Sequence, residues 1–191
     1  MNHFYLDPQF TTTEVWFDYE SIYRMFVEKC PDHGHIIEVG SWKGRSSVFL
    51  AVEIINSNKQ IKFDCIDTWL GTINDAYHSV SIKRENNKLF ELFLNNIEPV
   101  KHVITPIKSS SLKASSLYRD ESIDMIFLDA DHSYEAATLD IETWLPKVKK
   151  NGILAGHDYI NHLYPGVKRA VDDMSKGNIK IDGTSWIYNK I

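Results

Sequence analysis

The sequence predicts an α/β fold: a doubly wound, seven-stranded, mostly parallel sheet that ends in an antiparallel C-terminal hairpin. Three observations predict it. Strand-like and helix-like segments alternate five times along the chain, the pattern of a parallel sheet covered on both faces. The stretch Ile36-Ile37-Glu38-Val39-Gly40-Ser41-Trp42-Lys43-Gly44-Arg45-Ser46-Ser47 reads as buried strand, tight turn and helix start. Asp182-Gly183 separates two short β-type runs, a strong hairpin signal.

Taken in order, residues 1–13 read as a loose arm. Phe17, Ile22, Met25 and Phe26 give residues 14–28 a helical apolar face, and Pro31-Asp32-His33-Gly34 ends it. The first strand covers 36–39. Val48, Ala51, Val52 and Ile55 mark a helix over 46–55. Residues 62–67 form a second strand that ends on Asp67. Residues 68–84 have weak periodicity and read as a lid. Leu89, Phe90, Phe93 and Leu94 face inward from a helix over 85–97. A third strand, 100–107, is interrupted by Pro106. Ser109-Ser110-Ser111 caps a short helix that runs to 117. The apolar run 123–128 is a fourth strand, buried on both faces. Tyr134, Ala137, Ile141, Trp144 and Leu145 mark a helix over 133–145, limited by Pro146. Asn151-Gly152 turns into a fifth strand over 153–156. Pro165-Gly166 precedes a helix over 167–174, and 179–181 pairs with 185–188.

A chain of 191 residues is long enough for one domain with a substantial core and short for two. We expect one domain over 1–191, with an arm and capping helix over 1–33 and a core over 34–191. A hydrophobic share of 43% and a charged share of 25% are those of a soluble globular protein. The net charge of -5, with no Lys/Arg block, argues against a nucleic-acid partner. Cys30 and Cys65 give neither a disulfide framework nor a zinc spacing, and Cys65 reads as a small buried hydrophobe. The N-terminus lacks a basic-then-apolar signal, and no apolar run nears the roughly 18 residues of a membrane span. The expected setting is the cytoplasm, without membrane contact.

In an open α/β sheet the ligand sits beyond the carboxyl ends of the strands, where strand order reverses. Those ends carry Glu38-Val39-Gly40, Asp67, Lys108-Ser109-Ser110, Asp129-Ala130-Asp131-His132 and His157-Asp158-Tyr159. Asp67, past the glycine turn, can accept two hydrogen bonds from a ribose diol. The glycines form Gly40-x-x-x-Gly44, not the dinucleotide fingerprint, so no middle glycine lets backbone meet a pyrophosphate. Glu38 disfavours a nearby phosphate and suits a cationic or zwitterionic ligand. S-adenosylmethionine is such a ligand: ribose, adenine, sulfonium and amino acid, with no phosphate.

These residues, together with Ile126-Phe127-Leu128-Asp129-Ala130-Asp131-His132 and Gly152-Ile153-Leu154-Ala155-Gly156-His157-Asp158-Tyr159, carry a resemblance. Over residues 34–190 the chain resembles a Rossmann-like class I S-adenosylmethionine-dependent methyltransferase. More narrowly, it is similar to the small-molecule O-methyltransferases of methyltransferase family 24, the catechol and macrolide-sugar type. The resemblance implies that Glu38, Gly40 and Ser41 surround the amino-acid end of the cofactor, that Gly44 also binds the cofactor and that Asp67 holds the ribose. Thr68 and Trp69 would flank ribose or adenine, with Trp69 equally placed to anchor a lid. Ser109 and Ser110 match the adenine edge, and Asp129 would face the sulfonium and the acceptor. Metal-dependent members bind a divalent ion with an acid after the fourth strand and two acidic or amide residues after the fifth. Asp129 and Asp158 match and His157 occupies the third place, with Mg²⁺ or Mn²⁺ as the expected ion. His157 stands where aspartate is common, and imidazole is a poor Mg²⁺ ligand. Asp158 could instead cap the turn before Pro165-Gly166.

Methyl transfer needs alignment of acceptor and methyl, and a group that removes the acceptor's proton. Asp129, Asp131, His132 and His157 are the candidates, of which Asp129, His132 and His157 form the expected catalytic set. Tyr134 reads as packing. Trp69, Tyr77, His78 and Phe4 or Tyr5 could wall an acceptor site. The expected partner is a small-molecule or glycan acceptor, and the arm and the C-terminal hairpin offer surfaces for a homodimer. Two other readings stay open at this point: a nicotinamide-dependent oxidoreductase and a non-catalytic nucleoside-binding relative.

Overall fold

The computed structural model describes residues 1–4, 17–71 and 88–191. Its strands are β1 (His35–Val39), β2 (Lys62–Asp67), β3 (Ile104–Lys108), β4 (Ile123–Leu128), β5 (Val148–Gly156), β6 (Lys180–Asp182) and β7 (Ser185–Asn189). They form one seven-stranded sheet in the order β3-β2-β1-β4-β5-β7-β6. The first five strands pair in parallel, and β7 pairs antiparallel with both β5 and β6. The helices are α1 (Glu20–Lys29), α2 (Arg45–Ser57), α3 (Leu89–Ile97), α4 (Ser111–Ser115), α5 (Tyr134–Trp144) and α6 (Pro165–Ser175). The chain winds outward from β1 to β2 and β3, then returns to β4 on the other side of β1. The reversal of strand order lies between β1 and β4.

Period-2 alternation along the strands sends side chains to two cores. Ile36 joins Phe26, Phe49, Phe63, Phe93 and Phe127 under α1, α2 and α3. Ile37 and Val39 join Ile126, Trp144, Val171 and Trp186 under α4, α5 and α6. Glu38 lies on the Ile36 face, so alternation sends it into the first core and away from solvent. Both cysteines are buried and unpaired, and burial pushes the Cys30 thiol up to about 12. Among the described residues no helix is long and apolar enough to cross a membrane.

Three expected boundaries move. The third strand begins at Ile104, because Glu98–Val100, with Pro99 at its start, closes into a 3₁₀ turn. Pro106 stays in β3, an edge strand, where a missing N–H leaves no ladder partner unpaired. Asn151-Gly152 does not start the fifth strand but lies within it. Asn151 has φ +62° and the β4–β5 register shifts opposite Ile123–Met125, so the pair forms a bulge. Helix α1 begins at Glu20. The expected helical residues 14–16 and 85–87, most of the lid, and Tyr5, Tyr77 and His78 lie outside the described residues.

Candidate active site

The cavity opens at the strand-order reversal, beside a close backbone approach that only glycine allows. Gly40 has φ +95°, and a Cβ built there would stand 1.7 Å from the Asp129 carbonyl oxygen. No side chain fits where the ends of β1 and β4 meet. Gly44, at φ +86°, is the N-cap of α2 and turns the chain against Phe93. Beyond Gly40 lies a cavity of about 750 Å³, within the size range of small-molecule sites. A smaller hollow beside it is lined by Ser41, Lys43, Gly44, Arg45 and Ser46, and shares Gly40, Trp42 and Asp129 with the main one.

Asp67, at the end of β2, lines the main cavity. Its two carboxylate oxygens accept the backbone N–H groups of Trp42 at 2.8 Å and Trp69 at 2.6 Å. Both tryptophans sit at positive φ, +46° and +52°, conformations that cost about 1–3 kcal/mol each and that the surroundings must hold. Trp69 is buried against Phe90 and Phe93, and its Nε1 donates to the Trp42 carbonyl at 2.8 Å. These bonds orient the Asp67 carboxylate at the rim of the cavity. Thr68, Ser109 and Ser110 line the same cavity, with Ser110 also the N-cap of α4.

The ends of β4 and β5 bring two carboxylates and two imidazoles together. His132 Nε2 lies 3.0 Å from Asp158 Oδ2 and 3.8 Å from Asp129 Oδ1. His157 Nδ1 lies 3.5 Å and 3.6 Å from the same two oxygens. The outward atoms are tied elsewhere. The Tyr19 hydroxyl donates to Asp129 Oδ2 at 3.1 Å, and the Asn161 amide donates to Asp158 Oδ1 at 2.6 Å. His157 Nε2 lies 2.9 Å from Asp18 Oδ1, and the Thr184 hydroxyl donates to Asp18 at 3.1 Å. The His132 ring stacks on Tyr164 at 4.0 Å.

Charge follows from this geometry. Burial alone would lower the His132 and His157 pKa values. The facing Asp129 and Asp158 carboxylates outweigh it, raising His132 to about 9 and His157 to about 11. Burial likewise pushes Asp129 and Asp158 up, and the imidazoles more than reverse it, so both carboxylates titrate below their ordinary range. At neutral pH the cluster is therefore two carboxylates bridged by two imidazolium ions. The ligand atoms of Asp129, His132 and Asp158 all lie within 4.8 Å of one another, a spacing that could hold a cation.

Gly40, Asp67, Thr68, Ser109, Ser110, Asp129, His132, His157 and Asp158 thus face the main cavity. Ser41 and Gly44 face the smaller hollow. Glu38 and Trp69 line neither. Glu38 is fully buried and accepts hydrogen bonds from Tyr23 at 2.6 Å and from Ser47. Burial raises its pKa, against the hydrogen bonds of Ser47 and Tyr23. Sequence reasoning missed Asp18, Tyr19, Asn161, Tyr164 and Asp140. No local signal marks Asp18 or Tyr19, which meet the strand ends only through folding. Asn161 and Tyr164 follow the fifth strand closely enough that the loop after His157-Asp158 could have pointed to them.

A sequence profile described as a methyltransferase domain matches residues 37–159, more than half of the chain. Among solved structures, the chain is similar to the O-methyltransferase NovP at 20% identity and a TM-score of 0.65, covering 90% of this chain and 78% of that one. It is similar to CalS11, a TDP-rhamnose 3'-O-methyltransferase of calicheamicin biosynthesis, at 15% identity and a TM-score of 0.59, covering 89% and 76%. A SAM-dependent O-methyltransferase from Thermotoga maritima aligns at 14% identity and a TM-score of 0.62, covering 94% and 67%. At these identities the likeness is one of fold. No curated protein sequence gives a significant match.

Proposed function

Because this chain belongs to the family of S-adenosylmethionine-dependent methyltransferases, we propose that it methylates a hydroxyl oxygen of a small molecule or glycan unit. The family membership displaces the nicotinamide-dependent oxidoreductase reading. One observation carries the proposal: a single cavity holds Asp67 on one side and Asp129, His132 and Asp158 on the other. Asp67 ends β2 and Asp129 follows β4, strands separated only by β1, so these two strand ends stand about 10 Å apart across the sheet. That span suits a nucleoside on one side and a reacting centre on the other.

The residues fit the cofactor. Gly40 leaves the backbone bare, Asp67 offers its carboxylate to a diol, and Ser109 and Ser110 lie beside Asp67 for the adenine edge. Bound there, S-adenosylmethionine supplies an electrophilic methyl group for in-line displacement. The chain aligns the two reactants and excludes water. The acceptor's proton passes into the Asp129–His132–His157–Asp158 cluster. There the ionised Asp129 and Asp158 carboxylates and the two imidazoles already share protons through close contacts. Asp129 and Asp158 also suit a divalent ion, which would lower the pKa of a coordinated hydroxyl.

Methyl uptake from isotopically labelled S-adenosylmethionine tests the proposal against a panel of sugars, catechols, simple phenols, amines and carboxylic acids. We expect label in hydroxyl-bearing acceptors. Label confined to amines or carboxylic acids would overturn O-transfer.

A further inference from the structure

Resting on the reading of this cavity as a methyltransferase site, we propose that the acceptor is a cation. It is a hydroxyl compound that carries an ammonium group on an apolar body, and Asp131 and Asp140 select it. The ammonium is a recognition group, not the atom that is methylated. The charged groups lining the main cavity are six aspartates and two histidines, with no lysine or arginine among the described residues. Four of the aspartates are accounted for. Asp67 stands on the ribose side, and His132 and His157 offset Asp129 and Asp158 across contacts of 3.0 to 3.8 Å. Asp18 is held by His157 and Thr184. Asp131 and Asp140 meet neutral donors instead. Asp131 Oδ1 accepts the Ser133 backbone N–H at 2.8 Å, and Asp140 Oδ1 accepts the Ser111 hydroxyl. The two carboxylates also repel one another, since Asp131 adds to burial in raising the Asp140 pKa. A cation beside both relieves that repulsion, and an anion adds to it.

The cations nearest the site stand elsewhere. Lys43 and Arg45 line the smaller hollow beyond Gly40, and the Lys108 ammonium lies 4.9 Å from the centre of the Phe90 ring. Around the two carboxylates the wall is apolar. The Ser111–Asp140 bond joins α4 to α5, and the next residue to each is a leucine. Leu112 and Leu139 are 52% and 45% exposed, and both line the cavity with Ala136 and with Leu163, which is 80% exposed. Leucines scattered singly over a surface mean little. Grouped around one cavity beside two carboxylates, they give the apolar body and the charged end of one ligand a place each.

Two ligand series test this. Three catechols share a ring and carry an aminoethyl, an ethyl or a carboxymethyl group. Three sugars are a methyl 2-amino-2-deoxyglucoside, a methyl glucoside and a methyl glucuronide. Calorimetry reads the binding of each to protein saturated with S-adenosylhomocysteine, above the Asp140 pKa of about 6. We expect the ammonium member of each series to bind at least about tenfold more tightly than the carboxylate member. That ratio should narrow near 1 M salt, where the screening length falls to about 3 Å. Asp131→Asn and Asp140→Asn should each reduce it by about two- to fivefold. Tighter binding of the carboxylate member, equal affinity across a series, a ratio unmoved by both variants, or no binding of either ammonium member would each overturn the inference. S-adenosylhomocysteine binding, measured first, keeps the two readings apart. If it is present while the charge order fails, this inference falls and the methyltransferase reading stands. If it is missing from protein that still ranks the ligands by charge, the fault lies with the cofactor reading.

Discussion

Three non-glycine residues, Trp42 and Asp158 on the cavity wall and Trp69 buried behind it, hold positive φ. Two of them do so as donors to Asp67, so the strain is tied to the orientation of one carboxylate. This gives Asp67 a measurable role. In Asp67→Ala, S-adenosylhomocysteine should bind more weakly by about 1–3 kcal/mol, the cost of leaving buried polar groups unpaired. Calorimetry reads the affinity, and circular dichroism checks that the fold survives the loss of the two N–H acceptors. Affinity unchanged in a folded variant would remove Asp67 from the ribose. Asp67 was legible in sequence because an acid ends the second strand-like apolar run, the one after the glycine turn and its helix. The direction of Glu38 was less so. It sits in the same kind of run, but alternation sends it to Tyr23 and Ser47, and nothing local announces those partners. Tyr19 is harder still, since 110 residues separate it from Asp129.

At the scale of elements, the alternating strands and helices could be read because their apolar periods differ, and because serine caps mark the starts of α4 and α5. The β5 bulge could not. Asn-Gly signals a turn equally well whether the chain reverses or merely kinks within a paired strand, and only pairing with β4 decides. The contact between α4 and α5 was also hidden. Asp140, on α5, accepts a hydrogen bond from Ser111 on α4, and Ser111 in turn accepts the Trp144 indole N–H at 2.8 Å. Burial raises the Asp140 pKa to about 6, helped by Asp131 and opposed by the Ser111 bond. The folded state thus keeps a proton that the unfolded chain releases near its ordinary carboxylate value. Between those two values stability falls as pH rises, by at most about 3 kcal/mol. Chemical denaturation at a series of pH values from 4 to 7 reads the slope. In Asp140→Asn that part of the slope should vanish, and a slope that persists would assign it to another group.

For the whole molecule, the placement of the cavity matters more than any one contact. It lies where β1, β2 and β4 end, and those strands feed both cores. A ligand that binds there touches loops anchored in each half of the fold, so its binding energy should appear in one cooperative unfolding transition. Binding to the folded state alone adds about 2.7 kcal/mol when free ligand is 100 times its dissociation constant. In a chain of 191 residues each kcal/mol moves the midpoint by about 2–4 °C. S-adenosylhomocysteine at that excess should therefore raise the melting midpoint by about 5–10 °C as a single transition. NAD at equal concentration should leave it in place, because Gly40-x-x-x-Gly44 lacks the bare backbone that meets a pyrophosphate. Scanning calorimetry with each ligand checks both halves of the expectation. Stabilisation by NAD and none by S-adenosylhomocysteine would mean that the strand-end acids recognise a dinucleotide after all.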